Sequence, residues 1–328
     1  MDKRERLERT LIGEPTDRAP VALWRPFPGD DQRAADFAAC VIDFQKRYDW
    51  DFVNVYPSSS YQVTDYGVQD EWQGAPDGAR VPTRYAVRRS LDWTELRALD
   101  PQRGDIGKQL MALKIILDSF AGEQTPIVMT VYSPLSQAAR IAGHEALLRH
   151  MRRSTERLTS GLNVITESTL RLIEALRPMG IAGIYYVIEY ADYTLLSEAE
   201  YERFGLTHDL KVLGALPQTW WLNLLYLRGG APMFSQLNAL PPLSVNWHNV
   251  TAEPTLDEAK LLLKSAACGG LDAELHLRAG TPSLVRDVGR DALKNMAHRR
   301  LILSTGGAVL ATTPHSNLRA VRDAVEKG

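Results

Sequence analysis

The feature that most constrains the fold is a set of eight short apolar runs separated by longer helical patterns. The runs are rich in β-branched and aromatic residues and are mostly apolar on both faces, as expected of parallel strands covered by helices. In chain order they are Pro20–Trp24, Asp51–Tyr56, Thr125–Tyr132, Ala182–Tyr190, Thr219–Leu227, Leu243–His248, Leu271–Leu277 and Leu301–Thr305. Strands that alternate with helices in this way indicate a parallel α/β structure.

The count of eight favours a closed (β/α)₈ TIM barrel, with an open doubly wound sheet as the alternative. The opening "MDKRERLERTL" predicts an N-terminal helix before the first strand. The stretch from Gln62 to Gly104 is irregular and rich in glycine and proline, which predicts a long insertion after strand two, over one end of the barrel. Because no linker or internal repeat interrupts the pattern, residues 1–328 are expected to form a single domain.

Composition excludes several classes of function. The net charge is −2 and the pI is near 6.4, so nothing indicates a nucleic-acid partner. No stretch reaches the roughly 20 apolar residues of a membrane span, and no signal peptide precedes the first helix. Cys40 and Cys268 make neither a disulfide framework nor a metal site. We expect a cytoplasmic protein without a membrane or nucleic-acid partner.

The working side chains of such a barrel lie at the carboxyl ends of its strands. Arginines there bind carboxylates in bidentate fashion, and tyrosines offer flat walls and hydroxyl donors. The predicted substrate-binding residues are Arg25, Tyr56, Tyr132, Arg140, Tyr190, Tyr226 and Arg228, and the candidate general acids or bases are Glu189, Asp192 and His248. The alternative is that these groups only close the barrel end through mutual ion pairs and hydrogen bonds.

Two further observations concern the last strands. In "ELHLR" the residues Glu274, His276 and Arg278 alternate, so a strand would place them on one face, where they could pair only with each other. The last strand ends in "STGG", a turn that offers backbone N–H groups but no catalytic side chain. P-loop, nucleophile-elbow and HExxH motifs are absent from the sequence.

Four segments resemble the uroporphyrinogen decarboxylase superfamily. They are "TDRAPVALWRP" from Thr16, "TLLSEAEYERFGLTHDLKVL" from Thr194, "SVNWH" from Ser244 and "TTPHSNLRAVRDAV" from Thr312. The resemblance is collinear from about Arg18 to Val325, and the C-terminal segment is its most specific part. It implies a (β/α)₈ barrel, in agreement with the strand pattern. The superfamily includes cofactor-free tetrapyrrole decarboxylases and zinc-dependent methyltransferases that use methylated corrinoids.

The functional residues of that superfamily carry over only in part. Arg25 matches the first arginine of the decarboxylases, and their substrate tyrosine falls near Arg140. The methyltransferase zinc ligands align with Tyr226, Arg228 and Gly307, and the decarboxylase histidine also falls on Gly307. Because a thiol-activating zinc site needs about three Cys or His ligands, the resemblance implies no metal and no cofactor here.

Three hypotheses follow for the function. The first is a cofactor-free, decarboxylase-like lyase that acts on a small anionic, carboxylated substrate bound by arginine and tyrosine, with Gly307 at the site. A tetrapyrrole-like molecule is one option for that substrate. The second is a zinc-free methyltransferase or demethylase component, which would have a corrinoid protein as its partner. The third is a non-catalytic ligand-binding barrel. The sequence leaves the oligomeric state open, and a homodimer is suggested only by analogy with the superfamily.

Overall fold

A parallel sheet of seven strands forms the centre of the molecule, as seen in a computed structural model that describes residues 1–326. The strands are β1 (Val53–Val55), β4 (Ile127–Tyr132), β5 (Gly183–Ile188), β6 (Leu224–Leu227), β7 (Ser244–Asn246), β8 (Ala267–Leu271) and β9 (Leu301–Thr305). They are hydrogen-bonded in the order β1-β4-β5-β6-β7-β8-β9, so these seven strands follow one another in the sheet in the order in which they occur in the chain. All seven strands are fully buried, which explains their continuous apolar sequences.

The predicted first strand, Pro20–Trp24, joins the two edges of this sheet. The amide of Leu303 in β9 donates to the carbonyl of Pro20 at 2.8 Å, and Ala22 donates back to Leu303 at 3.1 Å. On the other side, Asp51 next to β1 donates to the carbonyl of Val21 at 2.9 Å. The segment makes a single parallel bridge rather than a full strand. The result is a curled, TIM-barrel-like sheet.

Helices connect the strands, as the sequence pattern predicts. They are α1 (Lys3–Ile12), α2 (Ala34–Tyr48), α3 (Gly104–Ser119), α4 (Pro134–Ala142), α5 (His144–Arg153), α6 (Thr155–Leu176), α7 (Glu198–Tyr201), α8 (Thr207–Gly214), α9 (Leu256–Ala259), α10 (Pro282–Asn295) and α11 (His315–Ala324). Helix α1 is the predicted N-terminal helix. Within residues 1–326, none of the helices has both the length and the apolar character needed to cross a bilayer.

The predicted seventh strand was wrong in its position. Strand β8 begins at Ala267 and ends at Leu271, whereas the predicted run after it forms a π-helical turn, Ala273–Arg278. In this turn Glu274 and Arg278 are four residues apart, about one helical turn, and they form an ion pair. The two residues therefore pair as predicted, but they do not share the face of a strand. The sequence of β8, "ACGGL", has a low strand propensity and was not predicted as a strand. The alternating apolar residues of "LDAELHL" fit the pattern of a strand, although most of that segment forms a helical turn.

The segment between β1 and α3 contains an antiparallel hairpin, β2 (Gln69–Trp72) with β3 (Arg80–Arg84). Its turn is tied to the C-terminal part of the chain, because the amide of Ala311 donates to the carbonyl of Pro76 at 2.7 Å. Glycine is required at Gly78, where φ is +74° and a Cβ would lie 2.4 Å from the ring of Pro26. That the segment is an insertion relative to other barrels stays a prediction.

Candidate functional site

A cavity of about 640 Å³ opens at the carboxyl ends of the strands, where a barrel carries its chemistry. Its volume lies within the range of about 300–1,000 Å³ that small-molecule sites occupy. Eight of the predicted site residues line it: Tyr56, Tyr132, Arg140, Glu189, Tyr190, Tyr226, Arg228 and His248. Strand ends place most of them, and Arg140 comes from helix α4.

Glu189 is held between two arginines at one side of the cavity. Arg140 binds it with both terminal nitrogens, one at 2.8 Å from Oε1, and Arg228 Nη1 donates to the same oxygen at 2.8 Å. The amide of Glu189 donates to the hydroxyl of Ser136 at 3.0 Å, which fixes the strand end. Arg140 also lies over the ring of Tyr132, 4.4 Å from its centroid. The Arg140–Glu189–Arg228 cluster has a net charge of +1.

This cluster determines the protonation state of Glu189. Burial by itself would raise the pKa of the carboxyl, but Arg140 and Arg228 outweigh it and lower the pKa to about 2. The group is therefore ionised at neutral pH and has no proton to donate. Glu189 serves better as the counter-ion that positions the two guanidinium groups than in its predicted role of general acid.

Tyr226 and His248 form a hydrogen-bonded pair on the next two strands. The Tyr226 hydroxyl lies 2.9 Å from His248 Nε2 and 3.3 Å from the carbonyl of Gly306. Burial raises the pKa of Tyr226 well above its usual value, while Arg228 opposes the rise. Burial, followed by the charge of Arg228, lowers the pKa of His248. At neutral pH the pair is thus uncharged and can pass a proton through the short contact.

Tyr132 presents a buried hydroxyl in the cavity wall, close enough to Tyr56 for the two tyrosines to influence each other's pKa. Its side chain is only 1% exposed, and among residues 1–326 Tyr56 is the one neighbour whose hydroxyl interacts with it, without ideal hydrogen-bond geometry. Buried hydroxyls ordinarily have a partner, and Tyr132 lines the cavity beside Tyr56. The arrangement leaves a donor for a ligand or for water.

Two predicted residues lie outside the cavity. Arg25 points between its strand segment and helix α2, where its guanidinium lies over the rings of Phe27 and Phe44 and Nη1 donates to the carbonyl of Ala311 at 3.2 Å. Asp192 is buried and accepts hydrogen bonds from Thr194 and from the amide of Ala231. Both side chains are engaged in structural contacts, so their predicted functional roles gain no support from the geometry.

Gly307 lies next to the cavity as a backbone position. Its φ of +115° is one that residues with a side chain rarely adopt, and a Cβ there would lie 2.7 Å from the Tyr226 hydroxyl. The phenol of Tyr226 thus occupies the space that a side chain at Gly307 would enter. This explains why the last turn of the barrel carries glycine.

Several residues that line the cavity were not predicted from the sequence. Asp272 directly follows the true end of β8, and correct placement of that strand would have identified it. His144 follows helix α4 instead of a strand, and its Nδ1 lies 2.9 Å from the Tyr190 hydroxyl. Arg80 and Asp31 meet at the cavity because the hairpin folds back over the barrel, and no local pattern signals that contact.

The zinc site of the related methyltransferases does not fit these residues. The three aligned positions offer the phenol of Tyr226, the guanidinium of Arg228 and the bare backbone of Gly307. The first two are engaged with His248 and Glu189, and neither is a usual zinc ligand. In the part of the chain that the structure describes, no group of three His, Cys, Asp or Glu side chains could hold a metal ion.

Comparison with solved structures supports the fold. A methyltransferase from Methanosarcina mazei superposes with a TM-score of 0.86 over 99% of this chain and 98% of its own, at 18% sequence identity. Dispersin B gives a TM-score of 0.39 over 65% of this chain and 75% of its own, at 12% identity, which is too low to support an argument. No curated protein matches the sequence.

Family membership follows from the whole sequence. The sequence model of the family described as uroporphyrinogen decarboxylase (URO-D) matches residues 2–328, which is nearly the full chain. The match agrees with the barrel-like fold and with the four resembling segments. Enzymes of this family include decarboxylases and methyltransferases. The chain belongs to the uroporphyrinogen decarboxylase (URO-D) family.

Proposed function

We propose that the protein is a cofactor-free carbon–carbon lyase that decarboxylates a small carboxylated molecule bound by Arg228. The observation that carries this proposal is the state of the Arg228 side chain, which lines the cavity and is 53% exposed. Nη1 is bound to Glu189, and the remaining N–H groups have no acceptor among residues 1–326. Those N–H groups form the fork that binds a carboxylate in bidentate fashion.

The electrostatics of the cluster suit this role. Glu189 neutralises one of the two guanidinium groups and leaves one positive charge for the ligand. Arg140 is largely enclosed, with 16% of its side chain exposed, so Arg228 is the arginine that a ligand reaches. The ion pair also fixes the direction of Arg228 before a ligand binds, which reduces the entropy lost on binding.

The reaction breaks the bond between the carboxylate carbon and the neighbouring carbon. Carbon dioxide leaves, the electron pair stays on the substrate carbon, and one proton must arrive there. Tyr226 is the proposed donor, because its hydroxyl borders the cavity. The resulting phenolate would be stabilised by the charge of Arg228 and by a hydrogen bond from His248 Nε2, and water would then return the proton.

The test is release of carbon dioxide from a panel of carboxylates, including uroporphyrinogen under anaerobic conditions and smaller aromatic and aliphatic acids. We expect release from at least one compound and a loss of about 100-fold or more in kcat/KM for Arg228→Ala, with partial recovery in Arg228→Lys. Arg171→Ala is the matched control, since Arg171 is a similarly exposed arginine in an ion pair on helix α6. Absence of release from every compound would contradict the proposal, and binding without turnover would favour a ligand-binding barrel.

A second candidate function is methyl transfer to a corrinoid without zinc, with a corrinoid protein as the partner. The observation that favours it is the hydroxyl of Tyr132, which is buried in the cavity wall beside Tyr56 and could protonate a methoxy or amine leaving group. The assay is methylation of cob(I)alamin followed by absorbance. Transfer that Tyr132→Phe abolishes, without carbon dioxide release, would favour this function over the lyase.

A further inference from the structure

The charged residues of the cavity are divided between two sides. The Arg140–Glu189–Arg228 cluster follows strands β4, β5 and β6. The acidic residues come from the two ends of the sheet order, which the segment Pro20–Trp24 joins. We refer to them as the acidic rim: Asp31 before α2, Asp70 and Asp77 in the hairpin after β1, and Asp272 and Glu274 after β8. Because the sheet is curled and its edges are joined by Pro20–Trp24, the two groups face each other across the opening.

The acidic rim is only partly neutralised by the protein. Arg80 serves both Asp70, at 2.6 Å, and Asp31, at 3.9 Å. Glu274 is paired with Arg278. With two arginines for five carboxylates, the acidic rim retains a net charge of −3.

Two members of the rim have no cation of their own. Asp272 accepts hydrogen bonds from the amides of Glu274 and Leu275, at 2.9 and 2.7 Å, and Asp77 accepts one from the amide of Ala79 at 3.0 Å. Neither forms an ion pair among residues 1–326. His248 follows β7, which lies between β6 and β8 in the sheet. Burial and then Arg228 lower the pKa of His248, while Asp272 raises it.

From this division of charge we infer that the ligand is an ammonium carboxylate, with its carboxylate on Arg228 and its positive nitrogen toward the acidic rim. The inference rests on the proposed carboxylate site at Arg228 and adds the chemistry of the other end. A molecule with several carboxylates would bring like charges against the rim, which is unfavourable. The walls also suit a cation, because tyrosine faces attract ammonium groups. Tyr56, Tyr85, Tyr190 and Tyr226 line the cavity, whereas Arg140 already lies over the ring of Tyr132.

A positive nitrogen would also serve the proposed reaction. Loss of carbon dioxide leaves an electron pair on carbon, and the substrate itself must stabilise that pair when no cofactor does so. A nearby ammonium nitrogen lowers the energy of such a carbanion electrostatically. The acidic rim would then act in binding, by holding the nitrogen, and the arginine cluster would fix the leaving carboxylate.

The test compares a ligand with its uncharged isostere by isothermal titration calorimetry. The probe 4-(trimethylammonio)butyrate and its carbon analogue 5,5-dimethylhexanoate have nearly the same shape and the same carboxylate. We expect the ammonium compound to bind the wild-type protein about tenfold tighter or more. A third probe, 4-aminobutyrate, distinguishes a methylated nitrogen from a primary one. Equal or tighter binding of the carbon analogue would overturn the inference.

Two isosteric variants test which carboxylate of the acidic rim binds the ammonium nitrogen of the ligand. Asp272→Asn and Asp77→Asn keep the oxygen that accepts the backbone hydrogen bonds but remove the charge. We expect at least one of them to weaken the ammonium probe about fivefold to tenfold and to leave the carbon analogue unchanged. Asp43→Asn, at a surface ion pair on α2, is the control. If neither rim variant has this effect, the inference fails.

The same titrations separate failure of the inference from failure of the proposed function. If both probes bind equally and Arg228→Ala weakens both, the carboxylate site stands and only the ammonium end is refuted. If neither probe binds, or if Arg228→Ala leaves both unaffected, the carboxylate site itself is refuted. The thermal midpoint of each variant, measured in parallel, shows that a loss of binding is not a loss of folding.

Discussion

Replacing Glu189 by glutamine removes the charge that holds Arg140 and Arg228 while keeping the size of the side chain. The pKa of this carboxyl falls from its usual 4.5 to about 2 in the folded protein, because the two guanidinium groups outweigh the effect of burial. At about 1.4 kcal/mol per pKa unit, the ionised form contributes about 3 kcal/mol to stability at neutral pH. A cost of this size agrees with the range for breaking a buried ion pair.

The stability that Glu189 contributes depends on pH, and the direction of its pKa shift determines how. Since the folded pKa is depressed, the contribution is complete above about pH 5 and is lost as the pH falls from 4.5 towards 2. By pH 3 less than half of the 3 kcal/mol remains. Glu189→Gln should therefore lower the unfolding free energy by about 3 kcal/mol at pH 7 and by much less at pH 3.

The assay is urea unfolding of both proteins at pH 7, 5, 4 and 3, followed by tryptophan fluorescence and circular dichroism. Glu167→Gln is the control, because Glu167 forms an exposed ion pair on α6 and its loss should cost less than about 0.5 kcal/mol at any pH. A loss for Glu189→Gln that is the same at pH 7 and pH 3, or is no larger than in the control, would refute the reasoning.

Three other substitutions test the structure elsewhere. Asp51 is fully buried and accepts from two arginines, so Asp51→Ala should cost about 3–5 kcal/mol in urea unfolding, and Asp43→Ala on the surface almost nothing. Burial raises the pKa of Asp209 to about 7, so the contribution of this carboxyl to stability should fall as the pH rises from 4 to 7, and the difference in unfolding free energy between the wild type and Asp209→Asn should change over that range. Gly307→Ala should lower the thermal midpoint and weaken carboxylate binding, because φ there is +115°; Gly214→Ala, at an open position, should do neither.

Much of the fold was accessible from the sequence because the strands are buried on both faces. The continuous apolar runs at β4, β5, β6 and β9 mark strands that have no solvent side, and the structure contains all of them. The prediction was wrong at β8, where Gly269 and Gly270 replace the usual branched residues. Contacts with neighbouring backbone and side chains stabilise the strand at that point, and local propensity takes no account of such contacts.

The site residues that lie at strand ends could be predicted from the sequence. Those whose role depends on contacts between distant segments could not. Tyr226 and His248 were found from their position alone, and the structure joins them. The ion pairs that make Glu189 a counter-ion depend on the approach of helix α4 to two strands, which the sequence does not encode locally. Arg25 was predicted as a site residue from its position at a strand end, but its side chain points between the sheet and a helix.

The most direct test of the central claim is a crystal structure of the protein with 5,5-dimethylhexanoate, the probe that carries only a carboxylate. We predict that the carboxylate lies in the cavity, within about 3 Å of nitrogen atoms of Arg228 that do not contact Glu189. A carboxylate bound elsewhere in the molecule, or an empty cavity at a saturating concentration of the probe, would contradict the account.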